Sequence, residues 1–271
     1  MRYLLFLLLL IAFPALAADI TQVKNIPYGP EKLQQLDVYM PKSCGQGGCP
    51  VVIWVHGGGW RMGDKNMGGA ERLAQTWGSA GAILVAINYR LSPAVTHPAH
   101  VQDVAASINW VKQHIVQYGG NSSRIFLLGH SAGAHLVALV ATDPQYLRVY
   151  NLHPATALAG VFPIDSASYN LTESINERHV GRMVSQAFGT NKEQLERASP
   201  LWLVKENRRE KYPPFIIAAA GVRDNAVRQM RDLAFNLQRA GANANTLVVD
   251  YSRKGQLAAH MQIAKDLADP T

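Results

Sequence analysis

Short apolar runs alternate along the chain with segments that have apolar residues at helical spacing. The runs 51–55 and 83–87 are continuously apolar, which is typical of strands buried on both faces of a sheet. The segment 99–118 carries valines and isoleucines three or four positions apart, which indicates an amphipathic helix. Similar patterns predict strands at 36–39, 125–128, 159–162, 214–219 and 246–249, and helices at 69–77, 134–142 and 227–239. This order predicts an α/β fold with a mostly parallel sheet.

The predicted elements form one domain, 18–271, with one late insertion. A chain of 271 residues is within the size of a single α/β domain. The insertion, 165–211, is more polar than its surroundings and contains two plausible helices, so we expect a small cap and an open pocket. Its apolar residues, which either line that pocket or simply pack in the core, include Tyr169, Leu171, Met183 and Phe188.

The first 17 residues, 1–17, have the pattern of a secretory signal peptide. Arg2 precedes an apolar run over 4–12, and Ala15 and Ala17 have the small side chains of a signal-peptidase site. The run is shorter than the roughly 20 residues needed to span a bilayer, which favours cleavage over an uncleaved anchor. The sequence therefore predicts a periplasmic or secreted protein without stable membrane insertion.

Composition narrows the class of protein further. Hydrophobic residues make up 48% of the chain and charged residues 17%, which permits a sizeable core and excludes a disordered chain. The formal net charge is +7, but lysines and arginines are scattered and accompany no nucleic-acid-binding motif, so no nucleic-acid partner is expected. The chain has neither a zinc-spaced Cys/His set nor an HExxH motif, and no metal or cofactor is predicted. The sequence indicates no oligomeric state.

Two cysteines, Cys44 and Cys49, lie in a glycine-rich stretch. Four residues separate them, whereas redox and zinc motifs have two-residue spacing. In an exported protein, neighbouring cysteines in such a stretch most simply form a disulfide bond. We therefore predict a bond between Cys44 and Cys49.

Two glycine-rich motifs follow predicted strands. The stretch 129–133, GHSAG, opens a helix, and a sharp strand-to-helix turn of this kind presents its serine at the carboxyl edge of a sheet. Ser131 is therefore the candidate nucleophile, with a plain turn of small residues as the alternative. The stretch 56–60, HGGGW, allows main-chain N–H groups to point into an open site, where they stabilise the oxyanion of acyl transfer. A phosphate-binding loop is the alternative, but no Lys-Ser/Thr pair follows.

A serine nucleophile needs a histidine base and an acid that orients it. His260 is the histidine that follows the last predicted strand, after the loop 251–259 and just before a short terminal helix. We predict Asp224 as the acid because it follows the strand 214–219, although it also fits the N-cap of a helix that begins near Ala226. Asp250, at the end of the next strand, and Asp165, after the strand that precedes the insertion, are the alternatives.

These motifs resemble those of the α/β-hydrolase superfamily, in the esterase and lipase group that combines HGGGW with GxSxG. Compact bacterial esterases and arylformamidases are most similar, and the resemblance extends from Tyr28 to the C-terminus. It implies the α/β-hydrolase fold, with Ser131, Asp224 and His260 as the catalytic triad. It also implies oxyanion donors at the N–H groups of Gly58, Gly59 and Ala132, and a scaffold role for Asp103. The stretch 252–259 departs from the family's glycine-next-to-histidine loop.

Together these features predict an exported serine hydrolase that cleaves small or aryl carboxylic esters through an acyl-enzyme. An arylformamidase that acts on an N-formyl aromatic amine is the nearest alternative, since the same residues serve both reactions. A catalytically silent α/β hydrolase that binds a ligand is a further alternative from another class.

Overall fold

A computed structural model describes residues 19–67 and 69–266 of the chain. The predicted signal peptide, 1–17, lies outside these described residues. The strands are β1 (Ile20–Pro27), β2 (Gln35–Pro41), β3 (Cys49–Val55), β4 (Ile83–Ile87), β5 (Gly120–His130), β6 (Gly160–Ile164), β7 (Phe215–Ala220) and β8 (Ala244–Val249). The helices are α1 (Ala70–Ser79), α2 (Ala99–His114), α3 (Ala132–Thr142), α4 (Gln145–Arg148), α5 (Pro154–Ala157), α6 (Leu171–Ser174), α7 (Gly181–Phe188), α8 (Lys192–Arg197), α9 (Pro200–Glu206), α10 (Asp224–Arg239) and α11 (Gln256–Asp266).

Within the described residues the strands form one sheet in the order β1-β2-β4-β3-β5-β6-β7-β8. The strands β3 to β8 are parallel to one another, whereas β2 is antiparallel to both of its neighbours, β1 and β4. The prediction of an α/β fold with a mostly parallel sheet is therefore confirmed. Because the parallel strands point the same way, the residues that follow β3, β5, β6 and β7 meet at one edge of the sheet.

Helices cover both faces of the sheet. One face packs against α2, α3 and α10, whose buried side chains include Val104, Leu136 and Leu233, and the other packs against α1 and α11. The central strand β4 is buried along its whole length, as its unbroken apolar sequence predicts. None of the helices described for 19–67 and 69–266 combines the length and the apolar character that crossing a membrane requires.

Three features differ from the sequence prediction. β1 is an edge strand with mostly exposed side chains, so it lacks the apolar alternation by which a strand is recognised. The long helix ends at His114 and continues as a 3₁₀ turn over 115–118 before Gly119, which has a φ of 81°. The insertion between β6 and β7 contains the four short helices α6 to α9 rather than two.

A buried polar network fixes the loop after β4 beneath the glycine-rich loop. The Tyr89 hydroxyl donates a hydrogen bond to the carbonyl oxygen of His56 (3.1 Å). Arg90 donates to both carboxylate oxygens of Asp103 on α2, with Nη2 2.7 Å from Oδ1 and Nε 2.9 Å from Oδ2. Asp103 is fully buried, so the pair joins the loop firmly to the helix. These contacts agree with the expected scaffold role of Asp103.

The predicted disulfide is confirmed: Cys44 and Cys49 are bonded. The bond closes a short loop at the start of β3, where the Cys49 N–H donates to the carbonyl oxygen of Gly119 (2.9 Å). It therefore ties the loop to the amino end of a central strand.

Removing this bond should lower stability without changing the fold. For the double variant Cys44→Ala/Cys49→Ala we expect the free energy of unfolding to fall by about 2 kcal/mol, because a short closed loop restricts the unfolded chain. Urea denaturation followed by circular dichroism measures the change, and the wild-type protein in reductant is the control. An unchanged unfolding midpoint in both cases would contradict a stabilising role.

Candidate active site

Ser131 lies in a sharp turn between β5 and α3, at the carboxyl edge of the sheet. Its φ of 56° and ψ of −116° are unusual for a residue with a side chain and mark a strained backbone. A Cβ on Gly129 would lie 2.4 Å from the carbonyl oxygen of Gly133, and a Cβ on Gly133 would lie 2.1 Å from that of Val55. The two glycines are therefore required by the close approach of α3 to β3 and β5, and the turn holds the Ser131 side chain out of the sheet.

The structure brings His260 to Ser131, as the chain order predicts. His260 Nε2 is 3.0 Å from Ser131 Oγ, within hydrogen-bonding distance. His260 lies within helix α11 and not in a loop before it, so the unusual stretch that precedes it belongs partly to the helix. The helix, packed on the sheet through Ala259 and Ile263, positions the imidazole.

The acidic partner of His260 is Asp165, and the prediction of Asp224 in this position is wrong. Asp165 Oδ2 is 2.6 Å from His260 Nδ1, and the Asp165 side chain is fully buried. Asp165 directly follows β6, which is the neighbour of β5, and the Ser131 N–H donates to the carbonyl oxygen of Ile164 (2.9 Å). The acid and the nucleophile therefore follow adjacent strands.

Asp224 lies elsewhere because the chain turns away after β7. It is the first residue of α10, exposed to solvent, where a carboxylate interacts favourably with the helix N-terminus. The alternative of Asp224 as the N-cap of a helix that begins near Ala226 is also wrong, because the helix begins at Asp224 itself and its N-cap is Arg223. Asp250 is also exposed, and its Oδ1 accepts the N–H of Ser252 (2.8 Å).

The hydrogen bonds around Asp165 keep it ionised. Burial alone would raise the pKa of the Asp165 carboxyl, but the hydrogen bond to His260 and the nearby charge of Arg223 outweigh burial and hold that pKa below its usual value. Oδ1 accepts the N–H of Ala220 in β7 (3.0 Å). An ionised Asp165 fixes the proton of His260 on Nδ1, which leaves the Nε2 lone pair facing Ser131.

The glycine-rich loop 56–60 borders the turn that carries Ser131. A Cβ on Gly57 would lie 3.2 Å from Ser131 Cβ, so the loop lies directly against the serine. Gly58 and Gly59 have φ values of 107° and 60°, which glycine adopts readily. Among the residues that the structure describes, the N–H groups of these two glycines donate to no protein acceptor. Their assignment as oxyanion donors, with Ala132 at the start of α3, stays a prediction.

Ser131 opens onto a cavity of about 50 Å³. Its walls come from the glycine loop, the serine turn, the segment after β6 and the insertion, through Gly59, Trp60, Ala132, Ser166, Ala167, Ser168, Val180, Met183 and Arg223. Of the four apolar insertion residues considered as a lining, Met183 is in the wall. The others, Tyr169, Leu171 and Phe188, are buried in the hydrophobic core.

Two residues of the site were not identified from the sequence. His130 lies next to Ser131, and its Nε2 is 2.9 Å from the carbonyl oxygen of His260. Burial, together with the neighbouring His260, lowers the pKa of His130 to about 3, so its ring is neutral and donates this hydrogen bond. Arg223 contacts both Asp165 and His260 from the loop after β7. The signal for His130 was its place in the GHSAG motif, and for Arg223 its place beside the predicted acid.

His130, Asp165 and His260 bring potential metal-ligand atoms within 4.8 Å of one another. Asp165 Oδ2 already accepts a hydrogen bond from His260 Nδ1, and a guanidinium nitrogen of Arg223 is 2.7 Å from the same oxygen. A cation at this oxygen would face the positive charge of Arg223. The set is therefore better suited to proton transfer than to binding a metal.

The chain is similar in sequence and in structure to several named proteins. The chain is 32% identical over 236 residues to esterase LipQ of Mycobacterium tuberculosis, covering 83% of this chain and 54% of that protein. It is 34% identical over 181 residues to kynurenine formamidase of Danio rerio, covering 63% of this chain and 59% of that protein. The structure superposes on that of esterase B from Lactobacillus rhamnosis with a TM-score of 0.72 at 22% identity, covering 88% of this chain and 77% of that one. The chain thus spans little more than half the length of the two relatives.

The fold and the arrangement of Ser131, His260 and Asp165 define an α/β hydrolase, of the group that combines HGGGW with GxSxG. The BD-FAE family model matches residues 36–237, which include the glycine loop, the serine turn and Asp165. The chain belongs to the BD-FAE family.

The serine turn predicts a sharp difference between two glycine substitutions. Gly133→Ala places a methyl group against main-chain atoms of β3, so we expect the free energy of unfolding to fall by about 3 kcal/mol. Gly255→Ala is the matched control, because a Cβ there meets nothing within 4 Å, and its effect should stay within about 1 kcal/mol. Chemical denaturation measures both. Equal stability of the two variants would mean that the turn is not tightly packed.

Proposed function

We propose that the protein is a carboxylic ester hydrolase that works through an acyl-enzyme on Ser131. The observation that carries this proposal is the hydrogen-bonded series from Ser131 Oγ to His260 Nε2 (3.0 Å) and from His260 Nδ1 to Asp165 Oδ2 (2.6 Å). A serine hydroxyl becomes nucleophilic when a positioned imidazole takes its proton. The similarity to LipQ, an esterase, supports the same class of reaction.

Acylation begins when Ser131 Oγ attacks the ester carbonyl carbon and passes its proton to His260 Nε2. The negative charge of the tetrahedral intermediate develops on the former carbonyl oxygen. The N–H groups of Gly58, Gly59 and Ala132 are the proposed donors to it, and Gly59 and Ala132 line the cavity beside Ser131. As the C–O bond breaks, His260 gives its proton to the departing alkoxide, which leaves as the alcohol.

Deacylation reverses these roles with water. His260 Nε2 takes a proton from a water molecule as the water oxygen attacks the acyl carbon. The second tetrahedral intermediate collapses, His260 returns the proton to Ser131 Oγ, and the carboxylic acid leaves. In both steps Asp165 stabilises the positive imidazolium and keeps its Nδ1–H directed at Oδ2.

The size of the cavity favours a short acyl group. A volume of about 50 Å³ beside Ser131, lined by Trp60, Val180 and Met183, accommodates an acetyl group more readily than a long chain. We therefore propose small or aryl esters as substrates. We also propose export, which the apolar N-terminal pattern and the Cys44–Cys49 bond support.

A second candidate reaction is hydrolysis of an N-formyl aromatic amine. The similarity to a kynurenine formamidase favours it, and a formyl group also fits a small cavity. The same proton transfers apply, with His260 protonating a leaving amine rather than an alkoxide.

Removing the nucleophile tests the proposal directly. The wild-type protein should hydrolyse p-nitrophenyl acetate, and Ser131→Ala should reduce kcat/KM by about 10⁴-fold or more because no acyl-enzyme forms. N-formyl anilines are assayed in parallel with both proteins. Formamide turnover without ester turnover would replace the first reaction by the second. Folded wild-type protein with neither activity would leave the ligand-binding alternative.

Enlarging the cavity tests the acyl preference. In Met183→Ala, the ratio of kcat/KM for p-nitrophenyl octanoate to that for the acetate should rise about 10-fold, because the shorter side chain opens the wall next to Gly59. Met261→Ala is the matched control, since Met261 lines a separate cavity of about 270 Å³ behind His130. A larger change in the control would place the acyl group in that other cavity.

A further inference from the structure

Arg223 shares a single carboxylate oxygen with the proposed base. Its Nη1 lies 2.7 Å from Asp165 Oδ2 and 3.0 Å from the main-chain carbonyl oxygen of Asp165. His260 Nδ1 is 2.6 Å from the same Oδ2. The Arg223 side chain is largely buried and lines the cavity into which Ser131 opens.

The contacts among these three residues determine where the protons lie. Arg223 Nη1 and His260 Nδ1 are 2.8 Å apart. A guanidinium has only donors, and His260 Nδ1 must carry a proton to donate to Asp165. The two nitrogens are therefore two donors that converge on one acceptor, and their closeness places the positive charge of Arg223 beside the imidazole.

We propose that Arg223 is a positioning residue of the active site that fixes Asp165 against His260 and, by its charge, keeps His260 unprotonated at lower pH than Asp165 alone would allow. This inference rests on the proposed hydrolase function, because its consequence is a property of the base that serves Ser131. In an arrangement with only Asp165, the carboxylate charge favours the imidazolium without opposition. Here the guanidinium of Arg223 partly neutralises the carboxylate charge of Asp165.

The other groups around His260 leave Arg223 as the cation closest to its imidazole. From β5, the His130 ring lies against His260 with the ring centroids 4.5 Å apart and the ring planes tilted by 34°, and it is neutral because burial lowers its pKa. From the insertion, the Tyr169 phenol is fully buried, and Glu177, whose pKa is raised by burial and lowered in part by Arg223, interacts with the guanidinium. On the far side of His130, Arg72 and Lys265 line the separate cavity of 270 Å³.

The sign of the effect follows from charge. A cation beside His260 disfavours the imidazolium, so the base stays active to lower pH. Removing the cation lets His260 take up its proton at higher pH, and the acid limb of the pH profile must move upward. An opposite or like charge within about 4–6 Å typically shifts a titration by 1–3 pH units, and such a shift between partly buried groups is only weakly screened by salt.

The experiment compares pH profiles of kcat/KM for p-nitrophenyl acetate in the full chain. Arg223→Gln removes the charge and keeps a donor, and its acid-limb midpoint should rise by about one pH unit. Arg223→Lys keeps the charge and should keep the wild-type midpoint. Arg228→Gln is the matched control, because Arg228 is exposed and pairs with Glu173 and Asp232 away from His260. Arg223→Met replaces the glutamine variant if that variant does not fold.

An acid-limb midpoint that stays unchanged in Arg223→Gln would overturn the proposal, even if the maximal kcat/KM falls. A merely structural role would lower kcat without moving the pH profile. An equal rise in Arg223→Lys would also overturn it, since charge would then not be the cause. NMR titration of the His260 ring in Ser131→Ala, with and without Arg223→Gln, measures the same shift without turnover. Absence of hydrolysis by the wild-type protein would therefore reject the proposed function while the titration still decides the role of Arg223.

Discussion

The buried carboxylate of Asp165 joins the parts of the active site. It accepts the Ala220 N–H from β7, the Nδ1–H of His260 from α11 and a guanidinium N–H of Arg223 from the loop after β7. A buried carboxylate is costly unless it is paired and hydrogen-bonded, and removing one partner of such a pair commonly costs about 3–5 kcal/mol. Helix α11 supplies one of these donors through His260. The hydrogen bond to Asp165 therefore stabilises both the position of α11 and the orientation of His260.

The residues that directly follow β5 and β6 both have a strained backbone. Ser131 and Asp165 both have a φ of 56°, a conformation that typically costs about 1–3 kcal/mol in a residue with a side chain. The bond from the Ser131 N–H to the carbonyl oxygen of Ile164 holds these adjacent turns together. The glycines at 129 and 133 allow the close packing that keeps the serine turn in place. Both functional side chains are consequently presented at the same edge of a rigid sheet.

The sequence predicted what local patterns determine. Ser131 follows from the GHSAG turn, and the strands β3 and β4 follow from unbroken apolar runs, because both depend on residues close together in the chain. Which aspartate contacts His260 depends instead on the order of strands in the sheet. Asp165 and Asp224 both follow a predicted strand closely, but β6 lies next to β5 whereas β7 lies one strand further away. The contact of Arg223 with Asp165 joins positions 58 residues apart, and β1 was missed because an exposed edge strand has little apolar pattern.

The most direct test of this account compares Asp165→Asn with Asp224→Asn. Both substitutions preserve size and remove a charge, and activity is measured as kcat/KM for p-nitrophenyl acetate together with the unfolding midpoint. If Asp165 orients His260, the first variant should lose about 10⁴-fold in activity, while the second, at the exposed start of α10, should stay close to the wild type. The reverse pattern, with Asp224→Asn inactive and Asp165→Asn active, would contradict the assignment of the acid to β6.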